Sequence, residues 1–234
     1  MNILITGASR GIGAATYELL RSTGHAVAGH STAGSDELIA ADFTDPESPR
    51  ALWTAALARL GHIDVLINNA GIYEGVADDA PDEEWHAAWA RTLTINLQAS
   101  ADLSRLAIGH FRDRGSGGRI VNVSSRAGHR GDSPDHWHYA ASKAAILGMT
   151  KTIARGYAKD NILAFAVCPG FTMTGMVEDI MASRGISDAV VAEIPLGRVS
   201  TADEVAETIR WLAIDAPAAS SGSIIDINGA SYVR

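Results

Sequence analysis

Residues 2–13 read Asn2-Ile3-Leu4-Ile5-Thr6-Gly7-Ala8-Ser9-Arg10-Gly11-Ile12-Gly13. A short apolar run enters a turn spaced Gly-x-x-x-Gly-x-Gly, and helical sequence follows from Ala14. Glycine permits positive φ and lets backbone approach a ligand closely. The helix behind the loop points unpaired N–H groups and the positive end of its dipole at the turn. Strand, glycine loop and helix N-terminus in that order hold a pyrophosphate. The loop lacks the closing Gly-Lys-Ser/Thr of a nucleoside-triphosphate site. Its spacing also differs from the Gly-x-Gly-x-x-Gly of most dinucleotide folds. The expected ligand is a dinucleotide, contacted by Gly7, Ser9, Arg10, Gly11, Ile12 and Gly13.

The alternation that begins there continues through the chain. Apolar runs fall at Ile3–Ile5, His25–Gly29, Leu38–Ala41, Val65–Ile67, Ile120–Val123, Leu163–Val167 and Ile224–Ile227. Several are apolar at successive positions, as in strands buried on both faces. Between them Ala14–Thr23, Pro49–Leu60, Asp82–Arg112, Tyr139–Lys159 and Ala202–Ile214 carry apolar residues at helical spacing. Strand–helix alternation implies right-handed crossovers and a parallel sheet covered on both sides. The prediction is an α/β fold: one doubly wound, Rossmann-type, seven-stranded parallel sheet in a single domain spanning 1–234. The second and third strands lie too close in sequence for a helix between them, so Thr32–Asp36 is expected as a turn.

Composition narrows the function. The 234 residues are 47% hydrophobic and 20% charged, ordinary values for a globular protein. The net charge of −8 disfavours a phosphate backbone as partner. No apolar stretch reaches membrane-spanning length, and the N-terminus lacks the pattern of a secretion signal. The one cysteine, Cys168, excludes an internal disulfide and fits a reducing compartment. A cytoplasmic location is expected, with a small-molecule substrate and neither nucleic acid nor membrane as partner.

Five further stretches complete a pattern. Asn68-Asn69-Ala70-Gly71 follows the fourth strand, Asn96 lies in Thr94-Ile95-Asn96-Leu97, and Ser124-Ser125 closes the fifth strand. Tyr139-Ala140-Ala141-Ser142-Lys143 opens a helix, and Pro169-Gly170-Phe171-Thr172-Met173-Thr174 follows the sixth strand. Together with Thr6–Gly13, these motifs resemble in content and order those of the short-chain dehydrogenase/reductase family. The resemblance covers essentially the whole chain and is nearest to the branch containing the 3-oxoacyl carrier-protein reductases.

The resemblance implies hydride exchange between a nicotinamide cofactor and a carbonyl or secondary alcohol. It implies catalytic roles for Asn96, Ser125, Tyr139 and Lys143, with Asn96 linking Lys143 to solvent through water. Cofactor contacts are implied at Asn69, Ala70, Gly71, Tyr139, Lys143, Pro169, Gly170, Thr172 and Thr174, and Asp42 and Phe43 match the position at the adenine. The chemistry of the residues agrees. An alkoxide formed from a carbonyl needs a proton, and Tyr139 and Lys143, four apart on a helix, share a face. A neighbouring ammonium favours the phenolate. Ser124 is the alternative to Ser125 as carbonyl donor. Ser125 precedes Tyr139 by fourteen residues, whereas the resemblance implies about thirteen, so the loop Gly131–Trp137 is expected to carry an insertion that reshapes the substrate pocket.

Cofactor choice is a question of charge. NAD-binding domains place an acid at the end of the second strand. Here that end reads Ala28-Gly29-His30-Ser31-Thr32. With Arg10 in the loop, and with His30 and Ser31 as further contacts, NADP(H) is expected over NAD(H). The alternative leaves Asp36 or Glu37 to curl back and serve NAD. Two other functions stay open: an NAD-dependent sugar or alcohol dehydrogenase, and a non-catalytic dinucleotide sensor.

Other groups are assigned more plainly. His129, His136 and His138, with Asp132 and Asp135, match no zinc spacing and are expected as solvated loop residues or pocket walls; no metal is expected. Cys168 is expected to be a small buried hydrophobe, and Trp85 and Trp89 to pack. Tyr73, Arg126, the Gly131–His138 loop and Thr174–Pro195 are expected to line the substrate pocket. Apolar stripes including Leu93, Leu97, Leu103, Ile146, Met149 and Ile153 lie on helices that the resemblance implies pair across two-fold axes, so a homotetramer, or failing that a homodimer, is expected.

Overall fold

A computed structural model describes residues 1–173 and 191–234 of the chain. The sequence-predicted cofactor residue Thr174 and most of the expected wall Thr174–Pro195 lie outside the described residues. Among the described residues nine strands are present: β1 (Asn2–Ile5), β2 (Ala26–Ser31), β3 (Leu38–Ala40), β4 (Val65–Asn68), β5 (Gly118–Val123), β6 (Ile162–Pro169), β7 (Thr172–Met173), β8 (Ser200–Thr201) and β9 (Ile224–Ile227). Seven of them form one parallel sheet in the order β3-β2-β1-β4-β5-β6-β9. Helices α1 (Gly11–Ser22), α2 (Ser48–Leu60), α3 (Asp82–Leu93), α4 (Ala99–Arg114), α5 (Ala127–Arg130), α6 (Trp137–Tyr157) and α7 (Ala202–Ile214) surround it.

The strands read as continuous apolar runs because both of their faces are buried. Alternate residues go to opposite sides. Ile3, Ile5, Val65, Ile67, Val121, Phe165 and Val167 pack with Tyr17 and Leu20 of α1 and with Val205, Ile209 and Leu212 of α7. Leu4, Leu66, Ile120 and Ala164 face Leu52 and Trp53 of α2, Leu103 and Phe111 of α4, and Ile153 of α6. Full burial of each large aliphatic side chain contributes roughly 1.5–3 kcal/mol. The helix α7 opens with a capping box in which Thr201 and Glu204 each satisfy the other's backbone N–H.

Strand order reverses between β1 and β4, which opens a crevice at their carboxyl ends. The loops after β1 and β4 border it. The predicted turn over 32–36 is present, and β2 pairs directly with β3 without an intervening helix.

Two features differ from the sequence reading. The helix expected over Asp82–Arg112 is divided into α3 and α4 by a π-turn at Thr94–Gln98. The small parallel pair β7–β8 was not anticipated, because two-residue strands carry no periodicity.

Candidate active site

The motif residues around the crevice hold one another. The Thr6 hydroxyl accepts the N–H groups of Asn69 and Ala70, both at 3.0 Å. The Asn69 amide donates back to the carbonyls of Thr6 (2.9 Å) and Gly7 (3.0 Å). A Cβ at Gly13 would overlap the Gly7 carbonyl oxygen and the Asn69 amide, so only glycine lets α1 start this close to the sheet. Arg10, the N-cap of α1, has extended backbone, and no side chain caps the helix. Its first N–H groups therefore lack a side-chain acceptor at the loop, where a phosphate group fits.

A cavity of about 700 Å³ runs from this loop across the sheet end. One part is bordered by Arg10, His30, Ser31, Thr32, Asp42 and Phe43, and the other by Ser125, Tyr139, Lys143, Gly170 and Thr172. Gly7, Ser9, Gly11, Ile12, Gly13, Asn69, Ala70, Gly71 and Pro169 line it between. Its length and donor set fit a dinucleotide. No carboxylate occupies the end of β2. Glu37 turns away to pair with Arg21 at 3.0 Å, and Asp36 is not on the cavity wall. Asp42 accepts from the Thr44 N–H and hydroxyl at 2.9 and 2.8 Å, which lowers its pKa.

His30 has a different place from the one expected. Its Nδ1 accepts from Gly7 N–H (3.2 Å), which leaves Nε2 to donate to Ala41 O (2.9 Å). The ring stacks on Phe43, and burial lowers its pKa. Both ring nitrogens are used within the protein, so His30 braces the glycine loop against β3 and offers a ligand only its ring surface.

At the carboxyl end of β5 the two serines separate. The Ser124 hydroxyl is buried and donates to the Lys143 carbonyl at 2.7 Å, tying β5 to α6. Ser125 faces the cavity, where its hydroxyl accepts from the Ala127 N–H at 3.1 Å and acts to lower the Tyr139 pKa against the effect of burial. A Cβ at Gly128 would meet the Lys143 backbone at 2.8 Å, so α5 reaches α6 only through glycine. Lys143 Nζ donates to Val123 O at 3.1 Å and lies 5.6 Å from the centroid of the Tyr139 ring. Burial, the main influence on both groups, pushes Tyr139 above its ordinary value and Lys143 down to about 8. For Tyr139, desolvation acts in the direction opposite to the lowering that a cationic neighbour produces.

Asn96 sits in the π-turn. Its Oδ1 accepts from Ile72 N–H (2.8 Å), and its Nδ2 donates to Ile72 O (3.0 Å) and to Ser142 Oγ (3.3 Å). The side chain positions the strand exit at residues 71–73. A Cβ at Gly71 would lie 3.3 Å from Asn96 Oδ1 and 3.4 Å from Lys143 Nζ, so the glycine leaves space between them.

Sequence reasoning missed a buried polar ladder beneath the site. Asn68 donates to Asn122 Oδ1 (2.8 Å) and to Ser104 Oγ (3.1 Å), and Asn122 donates to Thr150 Oγ1 (2.9 Å). It joins β4, β5, α4 and α6. The available signal was an asparagine at the same depth in two successive apolar strands.

Within residues 131–138, His136 and His138 are buried, whereas Gly131, Asp132, Pro134 and Trp137 are exposed. The Tyr73 ring stacks on His136 at 3.9 Å and meets Tyr139 edge-on at 4.8 Å. His136 and His138 are buried rather than solvated, and His138 packs against Trp89. Ser133 and His136 hold the Asp135 carboxyl down at about 2. His129 leaves this cluster: its Nε2 lies 3.5 Å from the buried Cys168 Sγ and 3.8 Å from Asp226.

Known proteins resemble this chain in sequence. The family described as "Enoyl-(Acyl carrier protein) reductase" matches residues 7–230. The chain is 37% identical to cis-4-hydroxycyclohexanecarboxylate dehydrogenase of Sinomonas cyclohexanicum, over 97% of this chain and 94% of that protein. It is 34% identical to acetoacetyl-CoA reductase of Rhizobium meliloti (98% and 97%). It is 33% identical to the 3-oxoacyl-[acyl-carrier-protein] reductase of Vibrio cholerae (98% and 96%). Glycine loop, switch-point crevice and the Ser125–Tyr139–Lys143 cluster thus sit in a chain similar to these oxidoreductases over nearly its full length, and the chain belongs to the short-chain dehydrogenase/reductase family of NAD(P)-dependent oxidoreductases.

Proposed function

We propose that the protein is an NADP(H)-dependent carbonyl reductase of the 3-oxoacyl type, with cofactor binding and catalysis in one domain spanning 1–234. One observation carries the reading: Ser125, Tyr139 and Lys143 line one cavity wall, with Lys143 Nζ 5.6 Å from the Tyr139 ring centroid and burial favouring the protonated tyrosine. A protonated tyrosine is the acid that reduction needs. Relatives named as reductases and as a dehydrogenase support a site that handles carbonyl and secondary alcohol.

The nicotinamide, when bound, supplies the hydride. Ser125 donates to the substrate oxygen and orients it. Tyr139 transfers its proton to that oxygen as negative charge develops. Lys143 holds the ribose and, as a cation, stabilises the resulting phenolate. Asn96 acts as a positioning residue through Ile72, and the space beside Gly71 suits a water between Asn96 and Lys143. Thr172, with Pro169 and Gly170, and Thr174 hold the carboxamide. Arg10, Ser31 and Thr32 receive the 2′-phosphate where no acid repels it.

The test compares Tyr139→Phe with Lys143→Ala on a panel of carbonyl compounds. Tyr139→Phe should cut turnover by ~10²–10⁴ with little change in cofactor affinity. Lys143→Ala should damage both. Near-native turnover in Tyr139→Phe overturns the assignment and returns the sensor reading.

We propose further a cytoplasmic homotetramer, or failing that a homodimer. Of the apolar stripes, Leu103, Ile146 and Ile153 are spent in the core and Met149 packs against it, which leaves the partly exposed Leu93 and Leu97 for contacts between copies. A monomer mass by light scattering at micromolar concentration refutes this.

A further inference from the structure

We infer that Arg126 is a recognition site for a carboxylate carried by the substrate, which adds small oxo acids and their hydroxy acids to the substrates of this carbonyl site. The inference rests on the reading of Ser125 and Tyr139 as the carbonyl site.

Arg126 follows Ser125 directly and lines the same cavity. It is 9% exposed, as buried as the core of the protein. Buried guanidinium groups are ordinarily matched by a carboxylate, because an unmatched charge is costly to desolvate. Arg126 has no such match: no carboxylate among the described residues pairs with it. Of its five N–H donors, Nη1 donates to Ser231 Oγ at 2.7 Å, the one side-chain hydrogen bond it makes among the described residues. The guanidinium lies over the Phe171 ring, 4.4 Å from its centroid.

These two contacts fix the plane of the group without neutralising it. The remaining donors form the two-pronged edge that carboxylates accept. Asp132 and Glu193 stand on the exposed cavity wall and attract Arg126 from beyond ion-pair distance, and Arg130 adds a second positive charge. Desolvation lowers the Arg126 pKa, as it does for a cation that lacks a partner. A buried cation with no ion pair among the described residues stands beside the carbonyl donor in a chain of net charge −8. Adjacency in sequence limits the reach: carboxylate and carbonyl must be a few carbon atoms apart. A neutral ester or amide of the same acid leaves the guanidinium desolvated and unmatched.

The experiment measures kcat/KM for 4-oxopentanoate and 5-oxohexanoate, for their methyl esters and for neutral ketones. It uses wild type, Arg126→Met and Arg126→Lys. The better acid should exceed its ester by ~10–100-fold in wild type, the range of a charge-assisted hydrogen-bonded pair. The ratio should fall to near one in Arg126→Met and be intermediate in Arg126→Lys. A wild-type ratio near one, or a ratio unchanged in Arg126→Met, overturns the inference. If Arg126→Met does not fold, the wild-type and Arg126→Lys ratios decide.

Turnover of neutral ketones reports separately on the carbonyl site. If no carbonyl compound is turned over, the proposed function fails, and titration of the NADP⁺-loaded protein with benzoate and benzamide still tests Arg126. Benzoate binding at least ten-fold tighter than benzamide, and lost in the Arg126 variants, supports the site. Equal binding overturns it.

Discussion

The ammonium of Lys143 donates to the carbonyl oxygen of Val123 at 3.1 Å, at the end of the central sheet and with no carboxylate paired to it among the described residues. Burial lowers its pKa from 10.5 to about 8. Between those values the unfolded chain holds a proton that the folded protein has lost, so the contribution of this group to stability rises with pH across that window. Below pH 8 the folded protein carries the full cost. Removing the charge should therefore stabilise the cofactor-free enzyme at neutral pH while abolishing activity. Lys143→Met, after loss of about 1 kcal/mol for the Val123 hydrogen bond, should gain ~1–2 kcal/mol, a few degrees in Tm. The gain should shrink as pH approaches 10. Thermal unfolding across pH, without cofactor, checks this.

Neighbouring serines should fail differently. Ser125→Ala removes a donor at the reacting oxygen, so turnover should fall by ~10²–10³ with stability nearly unchanged. Ser124→Ala removes the bond to the Lys143 carbonyl and should cost ~1–2 kcal/mol of stability. Steady-state rates and denaturant melts on the two variants separate these effects.

Asn122 accepts from Asn68 and donates to Thr150, all three side chains being buried. Asn122→Ala removes one bond from each partner, while Asn68 keeps Ser104 and Thr150 keeps the Ile146 carbonyl, and should destabilise by ~1–3 kcal/mol, seen as a fall of ~3–8 °C in Tm. Differential scanning calorimetry measures it.

NADPH should bind more tightly than NADH, because the end of β2 presents Ser31 and Thr32 without an acid and Glu37 is engaged with Arg21. Arg10→Ala should weaken NADPH by about ten-fold and leave NADH almost unchanged, since only NADPH carries the extra phosphate charge. Calorimetric titration of both cofactors decides it, and equal affinities in wild type contradict the assignment.

Much of the fold was legible because burial on both faces writes stretches such as Val65–Ile67 and Leu163–Val167 as unbroken apolar runs. The glycine loop was legible because close packing at Gly13 excludes any other residue. What the sequence hid were relationships at a distance. Ser124 and Ser125 are equivalent as letters, and only strand alternation sends one to Lys143 and the other to the cavity. His30 reads as a polar residue at a strand end, and its two partners lie 23 and 11 positions away. The histidines of residues 136–138 look solvated in a loop of glycine, serine and aspartate, but Tyr73 and Trp89 cover them from other segments.

The π-turn at Thr94–Gln98 amounts to one residue more than the helix around it requires. Each residue added to an α-helix rotates all that follow by about 100° about the axis. Before the slip, α3 follows one phase of the apolar repeat; after it, α4 follows another, with Leu103 and Phe111 turned fully onto the sheet. Asn96 stands at the slip itself, where it meets Ile72. Shortening the turn by one residue would leave composition and helix content almost unchanged. It would swing Asn96 away from Ile72 or Leu103 and Phe111 off the sheet, so the chain is held at this point by phase rather than by the identity of any one side chain.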